Sequence, residues 1–401
     1  MSKQRNLVFS ILFCAFLTCV GFYVMFVKKP TKRLSMDLRN AVTFIKPSVQ
    51  NVKEGFFQDT FEKAFQDQFV KRQTMIQVYR FIEHQLYKAS MLQPKDYTLV
   101  KIGSDVYTFK ANEDYLVGWP IVKNDDYQQG IASFSENVNA ISKAYPDVNF
   151  YVYKPFRITE SNWFDKDNGF TSYGTYYRDL LKANLHNQIL FLENKIEDFE
   201  EYKKYYFKTD PHWNIYGSYE GYKVFCNALN HHYKDITCQQ YDSEYIFEDF
   251  AYYGQYGRNS SYLTSPDQFI DLNFNQLPGY KTYVNGVEKK YDQKDEFKKG
   301  EVEEFFWSYI YSVYHGNDEA LVEYQMDQQT GRVLLCFVDS YSSPIKFLIA
   351  SHFDHAYFVD PRINPDFNFK TFMEEHRVTD VMYMGFYGSL YQDKSYIFEE
   401  Y

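Results

Sequence analysis

A serine hydroxyl becomes a nucleophile when a base removes its proton, and a histidine becomes that base when a carboxylate holds its ring. Two stretches of this chain carry those three residue types. The first is Lys208-Thr209-Asp210-Pro211-His212-Trp213-Asn214, where aspartate and histidine stand two apart with a rigid proline between them, and Trp213 gives the loop an apolar anchor. The second is Asp339-Ser340, directly after the apolar run 332–338. A serine between a hydrophobic strand and a helix is presented at a sheet edge beside backbone N–H groups that can hold an oxyanion. The same residues also suit plainer roles, an Asp-Ser helix cap and a loop with a capping Asp210 and a solvated His212.

The elements that must position these loops are legible in the hydrophobic pattern. Residues 332–338 read as a buried strand, and Ser343 with Pro344 as an N-cap and first helical position for a helix to about residue 351. A strand at 355–359, a helix at 368–377 and a strand at 380–385 continue a βαβαβ succession. In such sheets ligands bind beyond the carboxyl ends of the strands, where Asp339, Ser340 and Asp360 fall. Upstream, Asn214 caps a helix from Ile215 to about Leu229. Strand-like runs at 98–102, 106–109 and 148–153 alternate with helical ones at 127–144 and 173–183. The alternation predicts an α/β domain with a largely parallel sheet over residues 95–401. Residues 28–94 read as a helical juxtamembrane segment, with Phe56, Phe57, Phe61, Phe65 and Phe69 at helical spacing and Gln93-Pro94 as its boundary. Such a segment either packs on the domain or serves as a stalk.

Residues 7–27 hold no charge, which is long enough to cross a bilayer as a helix. They predict a transmembrane signal anchor after a short cytoplasmic tail, residues 1–6, the alternative being a cleaved signal. With the six basic residues of the first 33 set aside, 37 Lys and Arg face 53 Asp and Glu, a net of −16. That surface repels phosphate backbones and disfavours nucleic acid as a partner. No cysteine pair has metal-ligand spacing, so neither a metal nor another cofactor is expected. Cys226 and Cys238 are read either as a disulfide or as two free thiols. Aromatic residues make up 20% of the chain, which supplies rings for stacking on sugars and is equally the mark of codon bias.

Thr209-Asp210-Pro211-His212-Trp213 resembles the Asp-x-His-Trp signature of the alginate O-acetyltransferase-like group and its DHHW relatives. In that group the Asp/His motif precedes a Gly-Asp-Ser-Phe-type serine motif on an SGNH-hydrolase-like fold with permuted blocks. Residues 106–109 with Asp114-Tyr115-Leu116 are similar to the group's early hairpin, and residues 253–260 with Pro266-Asp267 to its intervening loop. Val338-Asp339-Ser340-Tyr341 falls where the serine motif belongs, with Val338 in place of the usual glycine, as Pro211 replaces the second motif residue.

The resemblance implies Ser340 as nucleophile, His212 as base and Asp210 as the carboxylate that orients it. It makes Gly254 and Asn259, in the loop 253–260, oxyanion candidates, with Tyr253 and Trp213 as further candidates to face substrate. Arg258, in the same loop, suits a carboxylate, sugar hydroxyls or a surface salt bridge. His231-His232 reads as a solvated helix end, and His352 with His355 as complements to a helix dipole. The expected activity is O-acetylation of a cell-surface or secreted polysaccharide outside the cell membrane, with a polytopic membrane O-acyltransferase supplying the acyl group. An esterase using the same triad and a non-catalytic polysaccharide-binding component of an export complex are the alternatives.

Overall fold

Eight apolar segments pair into one sheet in the computed structural model, which describes residues 2–392 and 394–401. They are β1 (Asn149–Lys154), β2 (Ile189–Glu193), β3 (Tyr280–Val284), β4 (Val287–Glu288), β5 (Leu321–Met326), β6 (Val333–Phe337), β7 (His355–Val359) and β8 (Asp380–Met384). Their order across the sheet is β4-β3-β5-β7-β6-β8-β1-β2. From β7 to β2 every neighbour is parallel; β5, β3 and β4 run on antiparallel from the β7 edge. The sheet is therefore mixed, and the expectation of a largely parallel one holds for its β7-to-β2 half. The antiparallel wing comes from residues 280–326, where β5 alternates buried Val322, Tyr324 and Met326 with more open Glu323 and Gln325, as a strand covered on one face does.

The inner parallel strands β1, β6, β7 and β8 are buried on both faces, which is why they read as unbroken apolar runs. Phe150, Val152, Leu335, Phe337, Val381 and Tyr383 pack with Ile131, Phe134, Val138 and Ile141 of the helix Asp125–Ala144. On the other face Tyr151, Tyr153, Leu334, Cys336, Met382 and Met384 meet Tyr222, Phe225 and Leu229 of the helix Ile215–Leu229. Asn214 caps that helix as expected, its side chain accepting from the Gly217 amide at 3.0 Å. Cys226, on this helix, is disulfide-bonded to Cys238. Two smaller sheets flank the large one. The strands Leu99–Gly103, Val106–Phe109 and Asn112–Val117 form one, and Ser243–Tyr252 with Asp267–Asn273 form the other.

Two local expectations need correction. The chain after Ser340 makes a 3₁₀ turn, Ser340–Ser342, and its helix begins only at Lys346–Ala350. Asp339, not Ser343, caps the turn, and the Ser343 hydroxyl is buried without a partner among the described residues. The segment after the apolar run is also not helical throughout. Arg33–Leu34 pairs with Arg39–Asn40 before the helices Val49–Lys53, Phe56–Gln68 and Arg72–Ser90. Side chains far along the chain impose that hairpin: Arg39 forks onto buried Asp67 at 2.6 and 2.7 Å, and Gln68 bonds both the amide and the carbonyl of Thr31 at 2.7 and 3.0 Å. The hairpin reaches the main body through Arg33, paired with Glu303 at 2.7 Å, and through Tyr309, whose hydroxyl donates to the Leu38 carbonyl at 2.6 Å. Before it, residues Gln4–Val27 form a helix long and apolar enough to cross a membrane.

Candidate active site

The loop entering the helix Ile215–Leu229 and the turn leaving β6 meet at the carboxyl ends of the parallel strands. His212 Nε2 lies 2.8 Å from Ser340 Oγ although 128 positions separate them. The other ring nitrogen, Nδ1, lies 2.6 Å from Asp210 Oδ1, which also accepts the His212 backbone N–H at 3.0 Å. Asp210 Oδ2 accepts from the Gln255 amide at 2.7 Å and the Tyr252 hydroxyl at 3.1 Å. Burial opposes ionisation of Asp210, but the charge and hydrogen bond of His212 and the two backbone amides outweigh it and hold the carboxyl at about 2. Burial, with Asp210 adjacent, pushes the Tyr252 phenol well up, so it stays a neutral donor. The His212 side chain keeps 16% exposure against 5% for Asp210, so the ring faces the opening and the carboxylate lies behind it.

Tyrosines lock the two loops together. The Tyr341 hydroxyl donates to the Pro211 carbonyl at 2.6 Å, joining the serine turn to the histidine loop. Tyr311 stacks on the imidazole, ring centroids 4.3 Å apart, and its hydroxyl donates to the Ser340 carbonyl at 3.3 Å. Neither the apolar pattern nor the motifs pointed to Tyr311, which lies in the short helix Ile310–His315, far in sequence from both loops. Asp339 is fully buried, and its carboxylate takes the amides of Tyr341 and Phe386 at 3.0 and 2.9 Å and the Ser389 hydroxyl at 2.8 Å. It thereby ties the β6 end to the loop after β8. The Ser340 N–H donates to no acceptor among the described residues.

The other residues singled out in the sequence take up separate positions. Trp213 is wholly buried against Tyr341 and Tyr153, so it anchors the loop and does not face substrate. Gly254 abuts Asp210, where an added Cβ would come within 2.2 Å of the carboxylate; its amide donates to Thr209 Oγ1 at 3.0 Å. Asn259 has an exposed side chain, and its backbone carbonyl closes on Gly103. Tyr253 is half-buried against Tyr262. Arg258 forms no salt bridge among the described residues; it donates to the Tyr253 and Ser308 carbonyls at 2.9 and 3.0 Å and braces the loop from behind. Asp360 is engaged by Arg362 at 2.8 Å. His352 does not complement a helix dipole. It is buried against the Tyr222 hydroxyl at 2.8 Å, burial lowers it to about 4, and the ring is neutral; His355 meets Glu323 at 2.8 Å.

No family model matches the chain, and no curated protein matches it. Among solved structures it is similar to PatB1 of Bacillus cereus with a sulfonyl adduct, with a TM-score of 0.58 and 17% identity over 73% of this chain and 98% of that one. It is likewise similar to a DHHW family protein from Eubacterium siraeum, with a TM-score of 0.53 and 18% identity over 74% of this chain and 97% of that one. The chain thus has the fold of a DHHW family protein, in agreement with the resemblance that its Asp-x-His-Trp stretch carries.

Proposed function

We propose that the protein is a membrane-anchored O-acyltransferase, most simply an O-acetyltransferase, that modifies a cell-surface or secreted polysaccharide from an SGNH-hydrolase-like domain. The observation that carries the reading is the continuous chain Asp210–His212–Ser340, with links of 2.6 and 2.8 Å between two loops far apart in sequence. In this mechanism His212 Nε2 takes the Ser340 proton as Oγ attacks the acyl carbonyl. The Ser340 amide, left without an acceptor, stabilises the oxyanion, and Asp210 stabilises the imidazolium. The imidazolium passes its proton to the leaving group, leaving an ester on Oγ. A sugar hydroxyl then gives its proton to His212 and attacks that ester, and Ser340 recovers its hydrogen as the acylated sugar departs.

The reading extends to the chain as a whole. Residues 1–6 form a cytoplasmic tail, 7–27 the membrane span, 28–94 a juxtamembrane segment that opens with the Arg33–Asn40 hairpin before its helices, and 95–401 the catalytic domain, which lies outside the membrane. The Cys226–Cys238 disulfide supports that side, since disulfides persist in oxidising compartments. A polytopic membrane O-acyltransferase is the proposed source of acyl groups, held near by the shared bilayer. The test is incubation of the detergent-solubilised chain with an activated acetyl ester, with and without oligosaccharide acceptors. A mass increase of one acetyl group on the Ser340 peptide, passed to the sugar on adding acceptor, is expected. Release of free acetate with no acetylated sugar for any acceptor makes the protein an esterase, and no labelling of Ser340 overturns the enzyme reading.

A further inference from the structure

Arg157 is a half-buried cation with no carboxylate partner among the described residues. It follows the carboxyl end of β1 by three positions, on the edge of the sheet where Ser340 stands. Its guanidinium lies over the rings of Phe386 and Tyr387, 4.9 and 5.4 Å from their centroids, and among the described residues it makes one hydrogen bond, to the Tyr256 hydroxyl at 3.3 Å. Glu160, three residues on, is already taken by Lys154 at 2.6 and 2.8 Å. A guanidinium has five donors in a planar fork, and here most of the fork is uncommitted. The two loops that Arg157 touches are the ones that hold the site's carboxylates. Gln255, beside Tyr256, donates to Asp210, and the Phe386 amide donates to Asp339.

Next to this cation is an exposed aromatic plate. Trp119 is 46% exposed, and its indole is steadied by Tyr107 and Phe170, 5.1 and 5.3 Å away. Its backbone is bound to the Arg157 segment: the Ile121 amide donates to the Thr159 carbonyl at 2.8 Å, and Gly118 lies so close to the Tyr256 hydroxyl that a Cβ would stand 3.0 Å from it. An exposed tryptophan held in place beside an arginine with a free fork, against the loops that bond Asp210 and Asp339, offers a face for a pyranose ring and a grip for an anion.

We propose that Trp119 and Arg157 form a subsite for an acidic sugar residue of the acceptor, the indole taking the ring and the guanidinium taking its carboxylate or phosphate group. The inference rests on the proposed function for its place in the reaction, but binding reads it without any acyl chemistry. The full-length protein in detergent is titrated calorimetrically, with no acyl donor, against oligogalacturonate, a phosphorylated oligomannose and neutral cello-oligosaccharide. The wild-type protein should bind at least one acidic probe tenfold or more tighter than the neutral one, and that margin should shrink as sodium chloride rises from 50 to 500 mM. Arg157→Gln should erase the margin, Arg157→Lys should restore part of it, and Trp119→Ala should weaken acidic and neutral probes alike. The stronger acidic probe identifies carboxylate or phosphate as the group bound. Equal binding of acidic and neutral probes by the wild-type protein, or a margin that survives Arg157→Gln, overturns the subsite. Acyl transfer alongside that result leaves the proposed function standing, and a charged-sugar margin without transfer retains the subsite while removing the enzyme.

Discussion

At the scale of single residues, the proposed triad should act as a unit whose members depend on one another. Ser340→Ala and His212→Ala should each abolish acetyl-ester turnover, and the double variant should be scarcely worse than either, as kinetics of the three proteins would show. Asp210→Asn should cost on the order of 10³–10⁴ in kcat, because an amide no longer fixes the tautomer or stabilises the imidazolium. The Asp210 carboxyl is held at about 2 in the folded protein, below its ordinary value near 4 in the unfolded chain. Its contribution to stability is therefore complete above pH ~4 and is lost as pH falls from ~4 towards ~2. Asp210→Asn should flatten the loss of stability in that window, which urea unfolding at a series of pH values would reveal. Gly254→Ala, with its Cβ 2.2 Å from the Asp210 carboxylate, should lower kcat by ~100-fold or more with a smaller change in KM, since it displaces the carboxylate bonded to the proposed base. The members of the chain were legible in the sequence because each sits in a short motif, Asp-Pro-His-Trp or Asp-Ser. Tyr311 was not. A residue whose role is to stack on a histidine a hundred positions away leaves no local trace.

At the scale of elements, the βαβαβ succession of the last seventy residues was legible because each strand is buried on both faces and each is bounded by polar turns. The antiparallel wing and the Arg33–Asn40 hairpin were not, since neighbours distant in sequence determine them, β7 for the one and Asp67 with Gln68 for the other. The start of the helix after Ser340 was misplaced for a related reason: the pattern Ser-Pro carries a capping signal, and the buried Asp339 wins the role by also serving Phe386 and Ser389. Asp339→Ala leaves the amides of Tyr341 and Phe386 unpaired and should cost about 3 kcal/mol of stability, with a parallel loss of turnover as the serine turn loosens; chemical denaturation and ester kinetics on one preparation test both. The Cys226–Cys238 bridge joins residues 12 positions apart. Replacing both cysteines by serine should lower stability by about 3 kcal/mol, readable as a drop in denaturation midpoint that reducing agent reproduces in the parent protein.

At the scale of the whole molecule, protease added to intact cells should degrade the region after Arg33 and spare an N-terminal tag; protection of the whole chain would place the domain in the cytoplasm. In the proposed topology, the bonds of Thr31 to Gln68 and of Arg39 to Asp67 restrict how freely the domain moves above the membrane. A free linker lets a domain sweep a volume that grows with its length, and the local concentration of the active site is diluted accordingly. Here the backbone is bonded to the Phe56–Gln68 helix four residues after Val27, the hairpin continues into Arg33–Glu303 and Leu38–Tyr309, and the adjoining Ile310–His315 helix carries the ring stacked on His212. Under the proposed topology the site is mounted rather than tethered. These contacts restrain its height above the bilayer, so a polymer is modified mainly as it passes through that layer, and lengthening the anchor by a few helical turns should shift which part of an emerging chain receives acyl groups.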